Sequence, residues 1–244
     1  MKAMIFAAGL GTRLLPLTAH TPKALIKVGG KTLLERSIAY LKKFGVDDIV
    51  VNIHHFPEQI RDFLQQHKNF GVQIRISDES DHLLDTGGGI LHARHLLEGG
   101  ESILLINVDI LTNMDLGTFF RCHEQTGALA SLAVRERSSS RYLLFDRKNR
   151  LSGWQNTSTG ELRVSRPATI PESVPLAFSG IHLIRPELLS KITESGKFSI
   201  IDLYLRLSAT ENIASYRDQD SIWMDLGKYG EIMKAEELIR QMEQ

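Results

Sequence analysis

Met4-Ile5-Phe6-Ala7-Ala8-Gly9-Leu10-Gly11-Thr12-Arg13 decides how this chain is read. Met4 to Ala8 is apolar without alternation, which predicts a strand buried on both faces of a parallel sheet. A glycine loop at the end of such a strand lets successive backbone N–H groups come close to an anion. Arg13 and Lys23 add a planar guanidinium fork and a compact point charge to that loop. Pro22 fixes its own φ and holds the residue before it extended, so Lys23 leaves a stiffened segment. The stretch reads as a triphosphate cradle. It is not a dinucleotide fingerprint, because Leu14 stands where the third glycine belongs, and not a P-loop, because Leu25 stands where its first glycine belongs.

Working outward, Thr32 to Phe44 reads as a helix with Thr32 and Glu35 as a capping box and Gly45 past its end. Asp48 to Ile53 reads as a second strand, Pro57 to His67 as a helix with proline at its first position, and Val72 to Ser77 as a third strand. This β-α-β-α-β order implies an α/β fold with a Rossmann-like, doubly wound, mostly parallel sheet. Thr86-Gly87-Gly88-Gly89 then reads as a turn feeding a helix from Ile90 to Leu97, a place where backbone N–H groups can meet a polar ligand edge. Ser102 to Ile106 predicts a strand running into Asn107-Val108-Asp109. A carboxylate there points into the crevice where open α/β sheets bind ligands, or else caps the helix that follows. From Arg135 to Pro175 the punctuation by Ser138-Ser139-Ser140, Asn149, Gly153 and Gly160 predicts short strands of a β-rich insertion.

Taken together, Ala7-Ala8-Gly9-Leu10-Gly11-Thr12-Arg13-Leu14-Leu15-Pro16-Leu17-Thr18, Thr21-Pro22-Lys23-Ala24-Leu25 and Gly30-Lys31-Thr32-Leu33-Leu34-Glu35 resemble the N-terminal signature of the sugar-1-phosphate nucleotidyltransferases. Asp85-Thr86-Gly87-Gly88-Gly89 resembles that family's base-contacting segment, Phe178-Ser179-Gly180-Ile181 its sugar-pocket strand, and Trp223-Met224-Asp225-Leu226-Gly227-Lys228 its last motif. The resemblance implies that Ala7, Ala8, Gly9, Gly11, Thr12, Arg13, Lys23, Thr86, Gly87 and Gly88 bind the nucleotide, and Asn52, which with His54 stands at the carboxyl end of a strand, is placed to line the same pocket. It assigns the sugar phosphate to Asn107, Tyr142, Ser179, Gly180, Ser199 and Asp202; Ser199 and Asp202 equally fit a capping box. Asp109 and Asp225 become ligands of Mg²⁺, with Arg13, Lys23 and Asp109 catalytic. Val108 stands where the family has a glycine. The implied partners are an NTP, UTP by preference, and a sugar 1-phosphate. Within the family, the short length and the D-T-G-G-G and W-x-D-x-G forms look most like the N-acetylmuramate-1-phosphate uridylyltransferases of cell-wall recycling. They are also similar to mannose- or heptose-1-phosphate guanylyltransferases. Two other classes stay open: a nucleotide-sugar-dependent glycosyltransferase, whose acidic metal motif Asn107-Val108-Asp109 would mimic, and an inactive nucleotide-binding regulator.

The chain has 244 residues and zero formal net charge, which disfavours a nucleic-acid partner. Cys122 is the only cysteine, so no intrachain disulfide is expected and the thiol reads as structural. His92 and His95 have ligand-like spacing but no third partner, and read as solvated helix positions. No run has transmembrane length, and the first apolar stretch is too short for a signal sequence, so no membrane partner and a cytoplasmic location are expected. One domain is expected over 1–244. In it, 1–127 serves mainly the nucleotide, 128–221 mainly the sugar, and 222–244 carries the second metal ligand and a closing helix. No room is left for the C-terminal β-helix of acyltransferase-fused relatives, and the assembly is expected to be a monomer or small homo-oligomer.

Overall fold

A computed structural model describes residues 1–242. The chain opens with β1 (Lys2–Phe6), then a small ribbon of β2 (Lys27–Val28) and β3 (Lys31–Thr32). There follow α1 (Leu33–Lys43), β4 (Asp48–Ile53), α2 (Pro57–Gln66), β5 (Gln73–Asp78), α3 (Asp85–Leu97), β6 (Ile103–Asn107), β7 (Ile110–Thr112) and α4 (Leu116–Thr126). The second half supplies β8 (Ala130–Arg135), β9 (Arg141–Phe145), β10 (Leu151–Asn156), β11 (Glu161–Val164), β12 (Val174–Ile184), α5 (Glu187–Ser190), α6 (Ile200–Ser208), β13 (Ile213–Arg217), β14 (Trp223–Asp225) and α7 (Tyr229–Met242).

One sheet of ten strands forms the centre, in the order β11-β10-β9-β12-β6-β1-β4-β5, with β8 paired to both β12 and β13. The strands β6, β1, β4 and β5 run parallel, Lys2 lying opposite both Asp48 and Ile103. This is the doubly wound α/β arrangement the helix–strand alternation predicts. Strand β1 shows why. Ala3 and Ile5 face a core shared with Leu34, Ile38 and Leu41 of α1 and Ile60 of α2, while Met4 and Phe6 face a second core with Ile90 and Ala93 of α3 and Leu203 of α6. Apolar side chains on both faces of a strand require helices on both sides of the sheet. The local signals hold as well: Thr32 Oγ1 accepts from the Glu35 N–H at 3.1 Å, capping α1.

The β-rich insertion extends this same sheet. Strand β12 is eleven residues long; its first part pairs with β9 and its last part with β6, so β9, β10 and β11 continue the sheet beyond the parallel half. Gly180 has φ +74°, and the pairing of β12 with β8 shifts register between Phe178 and His182. Among the described residues no helix is long and apolar enough to cross a membrane. Cys122 is a partly buried residue of α4, and His92 and His95 are exposed on α3.

Two fully buried histidines lock the sheet to its helices. His123 Nδ1 shares a 2.8 Å hydrogen bond with Ser131 Oγ, and His182 Nδ1 a 2.6 Å bond with Tyr204 Oη. Burial lowers their pKa values to about 4 and about 3, from 6.5. The unfolded chain therefore takes up these protons first on acidification. The stabilisation is whole above pH 6.5 and is lost as pH falls through 6.5 toward 4, by up to about 1.4 kcal/mol per pH unit for each imidazole. Chemical denaturation at stepped pH is expected to show this slope, and His123→Gln is expected to reduce it; an unchanged slope contradicts the assignment.

Candidate active site

The parallel strands end at the site. Leaving β1, the chain turns through Ala7, Ala8 and Gly9; leaving β4, Asn52 reaches across. Asn52 is buried, its Oδ1 accepting from the Ala7 N–H at 2.7 Å and its Nδ2 donating to Glu79 Oε1 at 2.7 Å. It holds the start of the loop in place. Gly11 sits at φ +67° and leads into a turn of 3-10 helix over Thr12–Leu14. A Cβ on Gly11 would stand 2.8 Å from Thr18 Cγ2, so close loop packing as well as backbone angle demands glycine. Pro22 then sets Lys23 at the head of a second short turn, and Lys23 Nζ forms an ion pair with Asp109 Oδ2.

Asp109 follows β6 and is 8% exposed. Strand β14 pairs antiparallel with β7, placing Asp225 opposite Ile110, and the Leu226 N–H donates to the Asp109 carbonyl at 2.8 Å. The two acids, far apart in sequence, thus become neighbours. Gly227 marks where they meet: a Cβ there would lie 2.7 Å from Arg13 Nη2, 2.8 Å from Asp225 Oδ1 and 3.1 Å from Asp109 Oδ2. Burial pushes the Asp109 carboxyl above its ordinary range, and Asp225 adds to the rise while Lys23 opposes it. Val108 does not disturb this placement. Its side chain is buried in the core, and its N–H donates to the Phe6 carbonyl at 3.2 Å.

Two cavities meet at Asn107 and Asp109. The inner one, about 310 Å³, is lined among others by Ala8, Gly9, Lys23, Asn52, Thr86 and Lys197. The other, about 130 Å³, is lined by Arg13, Arg137, Phe178, Ser179, Gly180, Trp223 and Asp225 with the shared pair. Gly180 allows β12 to approach closely, since a Cβ there would stand 2.9 Å from Asn107 Nδ2. Trp223 Nε1 donates to the Ser179 carbonyl at 2.8 Å, and the Arg137 guanidinium stacks 4.4 Å from the Trp223 ring. The Ser179 hydroxyl and Arg137 Nε are buried without a hydrogen-bond partner among the described residues. Such atoms are satisfied when a polar ligand occupies the space.

Several expected residues stand elsewhere or act otherwise. Helix α3 begins at Asp85, so the three glycines lie inside its first turns and do not precede it. The N–H groups of Gly87 and Gly88 already donate to the Phe198 carbonyl, at 2.9 and 3.3 Å. Their smallness serves packing: a Cβ on Gly87 would stand 2.3 Å from the Phe198 ring, and one on Gly88 2.3 Å from the Gly196 carbonyl oxygen. Likewise the Ala7 N–H is consumed by Asn52. The Thr86 hydroxyl accepts from the Ile200 N–H at 3.0 Å while still lining the inner cavity. Thr12 is exposed and borders neither cavity. Ser199 caps α6, its Oγ accepting from the Ile201 N–H at 3.2 Å, and Asp202 accepts from Arg163 at 2.5 Å in a separate surface hollow. Ser199 thus caps its helix and Asp202 is ion-paired at the surface, and neither borders the two cavities that meet at Asp109. Tyr142 lines a third cavity next to the second. Arg137, Lys197 and Glu79 were not anticipated; Arg137 alone carried a readable cue, a cation just past the end of a strand.

The fold and site define an α/β protein with a cation-rich, two-acid crevice at the carboxyl ends of its parallel strands. The nucleotidyl transferase family model matches residues 2–242, and the chain belongs to that family. It is 33% identical over 242 residues to the N-acetylmuramate alpha-1-phosphate uridylyltransferase of Neisseria meningitidis, covering 98% of each chain. The enzyme of the same name from Caulobacter vibrioides is 32% identical over 92% of this chain and 91% of its own. Among solved structures, HddC from Yersinia pseudotuberculosis complexed with GMP-PN shares the fold, with a TM-score of 0.78 at 21% identity over 98% of this chain and 99% of that one.

The packing at the glycines is directly testable. Gly88→Ala drives a Cβ against a backbone carbonyl that cannot swing aside, and is expected to destabilise the protein by about 1–3 kcal/mol in urea denaturation. Wild-type stability in this variant contradicts the packing role.

Proposed function

We propose that the protein transfers the uridylyl group of UTP to N-acetylmuramate 1-phosphate, releasing pyrophosphate, with Mg²⁺ held by Asp109 and Asp225. The observation that carries this reading is the meeting of both acids with Arg13 around Gly227, at the junction of two cavities. The two relatives named above, similar along nearly their whole length, support the choice of substrates.

The donor set suits a hard cation: Mg²⁺ commonly takes one or two carboxylates and completes its shell with water and substrate phosphate oxygens. No cluster of three or more His, Cys, Asp or Glu occurs among the described residues, so two protein carboxylates fit better than a full protein cage. When bound, the ion offsets the mutual repulsion of the acids and of the phosphates. The chain's own groups do the rest. Gly9 and Ala8 border the inner cavity and admit the triphosphate. Arg13 holds the departing pyrophosphate, and Lys23 moves from Asp109 to a phosphate oxygen near the reacting centre. The Ser179 hydroxyl meets the sugar phosphate, and Arg137 stands between that phosphate and the neighbouring cavity. An oxygen of that phosphate attacks the α-phosphorus; a bond to it forms as the bond to the β-phosphate oxygen breaks. A phosphate monoester is largely dianionic at neutral pH, its second pKa being about 6, so no general base is needed. Catalysis then rests on positioning two anions and stabilising charge. In this reading residues 1–127 serve the nucleotide and 128–221 the sugar. Both substrates are membrane-impermeant anions, which suits the cytoplasm. A glycosyltransferase uses a diphosphate-sugar donor and has no use for the triphosphate loop at Gly9 to Arg13.

Pyrophosphate release measured over a matrix of NTPs and sugar 1-phosphates in Mg²⁺ is expected to be greatest for UTP with N-acetylmuramate 1-phosphate. Preference for GTP with mannose 1-phosphate overturns the substrate choice, and no release from any pair overturns the reaction. Gly9 gives a finer test. A Cβ there meets nothing within 4 Å and its φ is unexceptional, so the fold does not need glycine. Gly9→Ala is expected to keep stability within about 0.5 kcal/mol while raising KM for UTP about tenfold or more; an unchanged KM contradicts close phosphate approach.

A further inference from the structure

Beyond the junction lies a third cavity, about 250 Å³, between β9, β10, β12 and α6. It shares Arg137 and Phe178 with the cavity that holds Asp225, so one ligand can span both. Its wall combines two kinds of chemistry. Arg137 and Arg141 supply guanidinium groups, and no Asp or Glu lines the cavity. Leu143, Trp154 and Ile201 supply an apolar side.

The two arginines are set apart from their neighbours. Arg135, Arg150 and Arg163, in the same stretch of chain, each pair with a carboxylate. Arg137 and Arg141 have no carboxylate partner among the described residues. Arg137 donates only to the Ser138 and Phe178 carbonyls, at 3.3 and 3.1 Å, and its Nε is buried unpaired. The loop that carries them is braced: the Tyr142 hydroxyl accepts from the Ser139 N–H at 2.9 Å and donates to the Arg137 carbonyl at 3.3 Å. Two guanidinium groups that form no ion pair, on a braced loop beside a partly apolar hollow, form a receptor for an anion attached to a small apolar group.

We infer that this outer cavity holds a carboxylate-bearing substituent of the acceptor sugar, with Arg141 and Arg137 as its counter-ions, and so selects acidic sugar 1-phosphates over neutral ones. The inference rests on the transfer reading above and deepens it. A lactyl ether, which joins a carboxylate to a methyl-bearing carbon, matches both sides of the cavity. A second phosphate group would match only the cationic side.

N-acetylmuramate 1-phosphate and N-acetylglucosamine 1-phosphate differ only by that ether, so their kcat/KM ratio isolates the contact. The wild type is expected to favour the acidic sugar. Arg141→Met, at an exposed position that folding does not depend on, is expected to lower the ratio about tenfold to hundredfold through KM, and Arg141→Lys to keep part of it. Arg137→Met is expected to lower the ratio as well. A ratio near one in the wild type, or unchanged in both methionine variants, overturns the inference while leaving the transfer reading intact. If neither sugar is turned over, the transfer reading fails, and the ratio of dissociation constants for the two sugars, by calorimetry, decides the cavity in the same way. Tighter binding of glucose 1,6-bisphosphate than of N-acetylmuramate 1-phosphate assigns the cavity to phosphate and overturns the carboxylate.

Discussion

Asp109 is a buried carboxylate with a second carboxylate beside it, and that placement constrains everything around it. A carboxylate taken out of water beside a like charge is costly to ionise unless cations stand close. Lys23 meets one of them directly, and Arg13 reaches the same point from the glycine loop. Lys23 and Arg13 belong to the first turns after β1, Asp109 to the end of β6, and Asp225 to the short β14. The parallel pairing of β1 with β6 and the antiparallel pairing of β7 with β14 are what bring them to one point. The sheet is therefore a device for holding charges that would otherwise separate, and Gly227 is small because they converge on it.

Second-rank contacts keep that arrangement rigid. Asn52 ties β4 to the β1 loop and to Glu79, whose carboxyl burial pushes above its ordinary range. Helix α3 lies so close to the segment at residues 196–198 that positions 87 and 88 have no room for a Cβ. Sites that must hold groups within fractions of an ångström depend on such supports. On the other side of Asp109 the long β12 does equivalent work. It borders both the parallel strands and the hairpins of the insertion, so the cavities on either side of Arg137 share one wall.

How much of this was legible depended on the range of the interaction. The helices α1 and α2 and the strand β4 were readable from caps, a first-turn proline and an unbroken apolar run, because those signals are local. The strand-end positions of Gly9 and Asp109 were readable for the same reason. The meeting of Asp109 with Asp225 came only from the family resemblance, since no spacing rule links residues on different strands. The glycines at 87–89 misled because glycine commonly marks a turn; tertiary packing, of Gly87 and Gly88 against Phe198 and Gly196 and of Gly89 against Glu79 and Asn52, overrode that preference, and the helix began earlier. Ser199 and Asp202 show how one local spacing serves two readings. Their capping-box spacing was a sufficient explanation of Ser199, and Asp202 found its partner in Arg163, a contact invisible in the linear order. Arg137 escaped notice because its place beside Trp223 and Asp225 depends on a strand far along the chain, which the linear order does not display.

The convergence of the two acids on one divalent ion is the claim from which the rest follows. Crystals grown with Mn²⁺ and a non-hydrolysable UTP analogue, measured at the manganese absorption edge, test it most directly. The account predicts an anomalous peak bridging Asp109 and Asp225, with Lys23 Nζ moved from Asp109 to a phosphate oxygen. A bound nucleotide whose manganese touches neither carboxylate would contradict it.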